Sequence, residues 1–260
     1  RPNFMKMAPV IEAMNQYPGR IEHLLVHTGQ HYDAKMSKAF FDDLGIPRPD
    51  INLEVGSGSH AEQTGQVMMA FEKVCLEQEP DLVIVVGDVN STMACTITAK
   101  KLGIRVAHVE AGLRSRDMTM PEEINRICTD ALCDLLFTTD RMADENLKKE
   151  GVDAEKIFFV GNVMIDTLMK HKQMAENLDL IRKWDLLPKK YATLTLHRPS
   201  NVDDRQTLAE IMEALSEISR DVPVIFPVHP RTRKMISDFG LDHFLNTGSK
   251  NRGIVAVDPM

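Results

Sequence analysis

The chain has 260 residues, a net charge of −7 and a pI near 5.7, which excludes a basic nucleic-acid footprint and disfavours an anionic membrane surface as partner. No apolar run reaches the roughly 18 residues that span a bilayer, and no signal-peptide core is present. Its four cysteines, Cys75, Cys95, Cys128 and Cys133, form no CxxC pair and sit in apolar periodic segments, as reduced core residues of a cytoplasmic protein do.

Strand-like and helical patterns alternate almost throughout. In chain order the periodicity predicts a helix over 5–17, a strand over 21–28, helices over 32–44 and 61–77, and a strand over 82–86. A helix over 92–102, a strand over 105–109, a helix over 122–132 and a strand over 135–138 follow. Then come a helix over 143–150, a strand over 157–160, a polar helical stretch over 168–188 and a strand over 192–196. A helix over 207–219 and strands over 224–228 and 254–257 complete the series. Continuous Val/Ile/Leu runs such as LVIVV suit strands covered on both faces of a parallel sheet. The alternation predicts a doubly wound α/β architecture. The break near 168–188 predicts two domains, 1–168 and 169–260. The start at Arg1-Pro2, without an initiator Met, and the stop just after a strand-like run predict that both ends are cut.

Ligands of such sheets bind beyond the carboxyl ends of the strands. Those positions hold Gly29-Gln30-His31, Gly87-Asp88, Glu110, Gly161-Asn162, His197-Arg198 and His229-Pro230. Asp88 suits an ordinary helix N-cap, but Asn90, Ser91 and Thr92 also serve as caps and leave it free for other work. Glu110 is a poor cap. Directly after a buried strand it would be desolvated unless paired, with Arg114 the nearest partner by sequence, and it suits proton transfer. Pro121-Glu122-Glu123 satisfies helix-start chemistry, and Arg126 lies within intrahelical reach of both acids. His197 and His229, each followed closely by arginine, suggest an anion site of the phosphate type in the second domain. Arg1 and Lys6 around a first helical turn suggest another. No GxGxxG or Walker A sequence occurs.

The segments RPNFMKMAP, VHTGQHYD, VVGDVNST, HVEAGLR, MPEEINR, VGNVMIDTL, LHRPSNVD and PVHPRTR occur in this order. Together they resemble the non-hydrolysing UDP-N-acetylglucosamine 2-epimerases over essentially the whole chain. The resemblance implies a GT-B fold, two Rossmann-like domains with the substrate in the cleft, the second domain incomplete here, and a homodimer. It implies reversible conversion of UDP-GlcNAc to UDP-ManNAc by elimination of UDP to 2-acetamidoglucal and re-addition at the opposite face. It matches Asp88, Glu110, Glu122 and His197 to catalytic positions. Arg1, Lys6, Arg126, His229 and Gln30 match or neighbour substrate-binding positions. Neither metal nor nicotinamide is implied. Two departures stand out. The family's C-terminal DSGG…EE segment is absent, and its activator-binding motifs are altered at Gln30-His31-Tyr32, Gln66 and His197-Arg198-Pro199-Ser200. A GT-B glycosyltransferase or a hydrolysing epimerase is the alternative.

Overall fold

A computed structural model of the chain describes residues 2–29, 45, 47–246 and 252–258. Arg1, Gln30 and the helix expected over 32–44 lie outside the described residues. Two compact units divide the chain, Arg1–Lys172 and Gln173–Met260.

The first unit opens with α1 (Pro2–Met14), followed by a short parallel pair, β1 (Val26–His27) and β2 (Ile51–Asn52). The expected strand over 21–28 shrinks to two residues, Val26 and His27. Ahead of them, Leu25 bonds the Asp50 carboxylate through its N–H at 2.7 Å instead of a neighbouring strand. Helix α2 (His60–Gln78) begins at Ser59 with a complete capping box: the Ser59 hydroxyl accepts from Glu62 N and the Glu62 side chain accepts from Ser59 N. Then β3 (Leu82–Val86), α3 (Asn90–Lys101), β4 (Arg105–Ala111), α4 (Pro121–Leu132), β5 (Leu135–Thr138), α5 (Arg141–Lys149) and β6 (Ile157–Phe159) alternate. Strands β3 to β6 form a parallel sheet in sequence order. Helix α6 (Val163–Asn177) spans the boundary between the units.

Helix α1 carries Pro9 in its interior. Proline has no N–H, so the carbonyl one turn earlier, Met5 O, loses its helical donor. The Thr167 hydroxyl of α6 supplies the replacement at 2.6 Å.

The second unit holds α7 (Leu180–Lys183), β7 (Ala192–Thr193), α8 (Pro199–Val202), α9 (Arg205–Asp221), β8 (Val224–Pro227), α10 (Pro230–Asp238), β9 (Leu245–Asn246) and β10 (Ile254–Val257). Its sheet is again parallel, in the order β7-β8-β10-β9. Each unit has its own apolar core. Val67, Phe71, Val83, Val106 and Leu136 belong to the first, and Val202, Leu208, Met212, Phe226 and Ile236 to the second.

Candidate active site

Strand β3 ends at Val86, and the chain turns through Gly87 and Asp88 into α3. Gly87 has φ 69°. A Cβ there would lie 2.7 Å from Asn3 Oδ1 and 3.2 Å from Lys6 Nζ, so glycine both suits the left-handed turn and leaves room for these two side-chain ends of α1. The caps expected of Asn90, Ser91 and Thr92 do not form. Val89 holds the N-cap position without a side-chain bond, and the Thr92 hydroxyl donates back to Val86 O at 2.9 Å. Asp88 is not consumed as a cap either. Its Oδ2 accepts from Arg126 Nη2 at 2.6 Å, and its backbone carbonyl accepts from Asn125 Nδ2 at 2.9 Å.

Glu110 sits where β4 breaks register between Val109 and Ala111 against β5, with φ 75°. A left-handed conformation at a non-glycine residue stores of order 1–3 kcal/mol and turns the side chain out of the strand's alternation. The carboxylate is largely buried, and Lys6 Nζ donates to it at 2.6 Å. The partner expected from the sequence, Arg114, is engaged elsewhere. It donates to Asp130 at 2.7 Å and takes Glu150 in a two-bond fork at 2.9 and 2.6 Å. A lysine brought in by tertiary packing answers the desolvation of Glu110, which an arginine on the next turn does not.

Pro121 starts α4, and the two acids behind it have different surroundings. Glu123 is 1% exposed and accepts from Ser115 N, Arg116 N and Arg126 Nη1, each at 2.9 Å. Burial alone would raise its pKa. The two backbone N–H bonds and the Arg126 guanidinium outweigh burial and pull it down to about 2. Glu122 has no hydrogen-bond or ion-pair partner among the described residues. It lines a cavity of about 150 Å³ with Ser57, His60, Gln63, Asp88, Asn90 and Asn125. The sequence thus singles out Glu122 and Asp88, and the structure brings both to one cavity. Glu110 and Lys6 stand beside Gly87 at the back of the same turn.

Arg126 bridges the buried Glu123 and the half-buried Asp88. Burial would lower its pKa, but bonds to both carboxylates raise it, so it stays a cation. Sequence reasoning missed Asn90, Gln63, His60 and Asn125. The Asn90 amide lies within 3.0 Å of both His60 Nδ1 and Gln63 Oε1. One signal was present for Asn125, which is three residues after Glu122 and therefore on the same helical face.

In the second unit, His197 and His229 are exposed, with ring centroids 6.1 Å apart. His229 Nδ1 accepts from Arg231 N at the start of α10, at 3.2 Å. The Thr232 hydroxyl holds Leu196 O, one residue before His197, at 2.5 Å. Arg231 forms a two-bond pair with Asp203, which raises its pKa and occupies the guanidinium. Among the described residues no group of three His, Cys, Asp or Glu could hold a metal ion, and no helix is long and apolar enough to cross a membrane.

Known proteins share this arrangement of sheets. A relative from Methanococcus maripaludis, a UDP-N-acetylglucosamine 2-epimerase homolog, is 46% identical over 93% of this chain and 66% of its own length. The UDP-2,3-diacetamido-2,3-dideoxy-D-glucuronate 2-epimerase of Pseudomonas aeruginosa is also 46% identical, over 93% of this chain and 68% of its own length. The crystal structure of Methanocaldococcus jannaschii UDP-GlcNAc 2-epimerase in complex with UDP-GlcNAc and UDP superposes with a TM-score of 0.86. It is 42% identical, covering 100% of this chain and 71% of that one. The chain therefore spans between about two thirds and seven tenths of the length of these proteins, and its sheets are the Rossmann-like sheets of the GT-B type. The family model described as UDP-N-acetylglucosamine 2-epimerase matches residues 12–260, and the chain belongs to that family of isomerases.

Proposed function

We propose that the protein inverts C2 of a UDP-linked 2-acetamido sugar, converting UDP-GlcNAc and UDP-ManNAc reversibly into each other. One observation carries this reading: Asp88 and Glu122 line one cavity in unlike settings, the first ion-paired to Arg126 and the second unpaired among the described residues. Carboxylates whose surroundings differ can hold and release a proton at different points of one reaction. The C2–H bond of the sugar is only weakly acidic, so direct deprotonation is slow. Loss of UDP across C1–C2 gives 2-acetamidoglucal, and re-addition with protonation from the other face inverts C2. That route requires a base on one face, an acid on the other and cationic support for the departing diphosphate. Two of Asp88, Glu110 and Glu122 flank C2 in this reading. His197 assists the diphosphate or relays a proton. Arg1, Lys6, Arg126, Gln30 and His229 bind the nucleotide portion.

The test is incubation of the full-length protein with UDP-GlcNAc alone in heavy water. UDP-ManNAc with deuterium at C2 is the expected product. Free ManNAc with UDP would identify a hydrolysing epimerase. No turnover without an acceptor would favour a glycosyltransferase. Glu110→Gln is expected to lower turnover by about 10²-fold or more, the usual worth of a positioned acid or base. Turnover within a few-fold of the parent sinks the assignment of Glu110.

The Pseudomonas aeruginosa relative, as similar as the first, supports a second reading in which the substrate is a 2,3-diacetamido glucuronate. Parallel kcat/KM measurements on that UDP-sugar and on UDP-GlcNAc decide between them. We also infer a cytoplasmic homodimer. Support comes from the four free cysteines, which suit a reducing compartment, and from the family resemblance. A monomer mass in light scattering would overturn the dimer.

A further inference from the structure

Behind the cavity lies a buried cluster that the reaction above does not use. His108 on β4 is 0% exposed and Asp130 on α4 is 2% exposed. His108 Nδ1 lies 2.6 Å from Asp130 Oδ1, and its Nε2 lies 2.9 Å from Gly87 O. Asp130 Oδ2 accepts from Gly112 N at 3.0 Å and from Arg114 Nη1 at 2.7 Å. Three chain segments meet in these bonds. Gly87 precedes Asp88, His108 and Gly112 flank Glu110 on either side by two residues, and Asp130 stands one helical turn beyond Arg126, on the helix that carries Glu122. A carbonyl oxygen can only accept, so Nε2 carries a hydrogen toward Gly87 O. Burial would raise the pKa of Asp130, but the His108 bond and charge and the Arg114 guanidinium hold it down, so the carboxylate stays an acceptor for all three partners.

We propose that His108 is a positioning residue. Through its Nε2 bond to Gly87 O it holds the turn bearing Asp88 against the strand bearing Glu110, with Asp130 seated on the other ring nitrogen. The claim rests on the epimerase reading of those carboxylates. A catalytic group displaced by about 1 Å costs of order 10²-fold in rate, while substrate binding spread over many contacts changes far less. Loss of the His108–Gly87 bond should therefore fall on kcat.

Two substitutions separate the bonds. A glutamine amide nitrogen reaches the position of histidine Nε2 and keeps the donor to Gly87 O. An asparagine amide nitrogen reaches only the position of Nδ1, which keeps the bond to Asp130 and loses Gly87. With UDP-GlcNAc as substrate, His108→Asn is expected to lower kcat at least about tenfold with KM changed less than about threefold. His108→Gln should keep kcat within about threefold of the parent. Glu150→Gln, which cuts the far end of the Arg114 fork, should lower thermal stability and leave kcat unchanged. A purely structural role predicts equal losses for both His108 variants, or a kcat loss in Glu150→Gln that tracks its stability. Either result overturns positioning. Should neither His108 variant fold, near-isosteric Asp130→Asn, which leaves Nε2 on Gly87 O, must keep kcat within about threefold, and a loss of about tenfold overturns the assignment to the Gly87 bond. A parent that forms no C2 epimer overturns the catalytic reading itself and positioning with it. An active parent with indistinguishable His108 variants overturns positioning alone.

Discussion

Arg126 stands between two carboxylates of different solvation, and the difference divides their work. Glu123 is sealed beneath the loop at Ser115 and Arg116, while Asp88 faces the cavity. Glu123 therefore fixes the guanidinium, which in turn fixes Asp88. Replacing Glu123 with Gln leaves one acceptor oxygen for three donors and turns an amide N–H₂ toward one of them. An unsatisfied buried donor costs about 1–3 kcal/mol, so Glu123→Gln should lose that much in urea unfolding at neutral pH. The pH dependence carries a sign of its own. The folded pKa near 2 lies below the ordinary 4.5, so the group stabilises the fold fully above about 4.5. That stability is lost as pH falls from there through about 2. The parent's stability should drop more steeply across this acid window than that of Glu123→Gln. Parallel profiles would show that the three bonds do not hold the proton off.

At the scale of elements, the Pro9–Thr167 relation is a compensation between two helices 158 positions apart in sequence. Pro9 frees Met5 O within α1, and Thr167 on α6 takes it up. Thr167→Val keeps the shape of the side chain and removes only the hydroxyl, so it should cost about 1–3 kcal/mol. Pro9→Ala restores an N–H able to reach Met5 O within the helix. In that background Thr167→Val should cost less, with a coupling of about 0.5–2 kcal/mol in a double-mutant cycle. Additive losses would mean that the hydroxyl does not serve the proline. Relations of this kind mark the limit of what the sequence made legible. Parallel-strand runs such as LVIVV and IVAV announced β3 and β10 with their observed bounds, because a continuous Val/Ile/Leu run shows in composition alone, although β3 buries only Val83 and Val85. The two-residue strands β2 and β9 were not foreseen, since two residues carry no periodicity. Asp88 and Glu110 were legible as acids at strand ends, whereas Glu122 passed for ordinary helix-start chemistry and was singled out only by the family resemblance. Lys6 as the partner of Glu110, 104 residues away, was not legible, because only the packing of α1 against the Gly87 turn brings it there. The left-handed backbone at Glu110 left no trace either, for glutamate is not a residue that announces such a conformation.

For the whole molecule, the division into two units implies two cooperative folding events. The core around Leu136 and the core around Leu208 have no residue in common, and each is built on a separate parallel sheet. Within a unit, removing a fully buried leucine side chain forfeits its transfer free energy and leaves a cavity, a loss of about 2–5 kcal/mol. Among the described residues, each of these two apolar clusters is built from side chains of its own unit. Calorimetry should therefore resolve two transitions. Leu136→Ala should move one midpoint and Leu208→Ala the other, each leaving its counterpart within about 1 °C, as independent unfolding of the two units requires. A nucleotide bound by groups of a single unit stabilises only the transition of that unit, by RT ln(1 + [L]/Kd). UDP should raise the Leu208 transition through His197 and His229 and the Leu136 transition through Lys6 and Arg126, and His229→Ala should reduce the first increment. One merged transition, shifted equally by both leucine substitutions, would show instead that the two units unfold as one cooperative block.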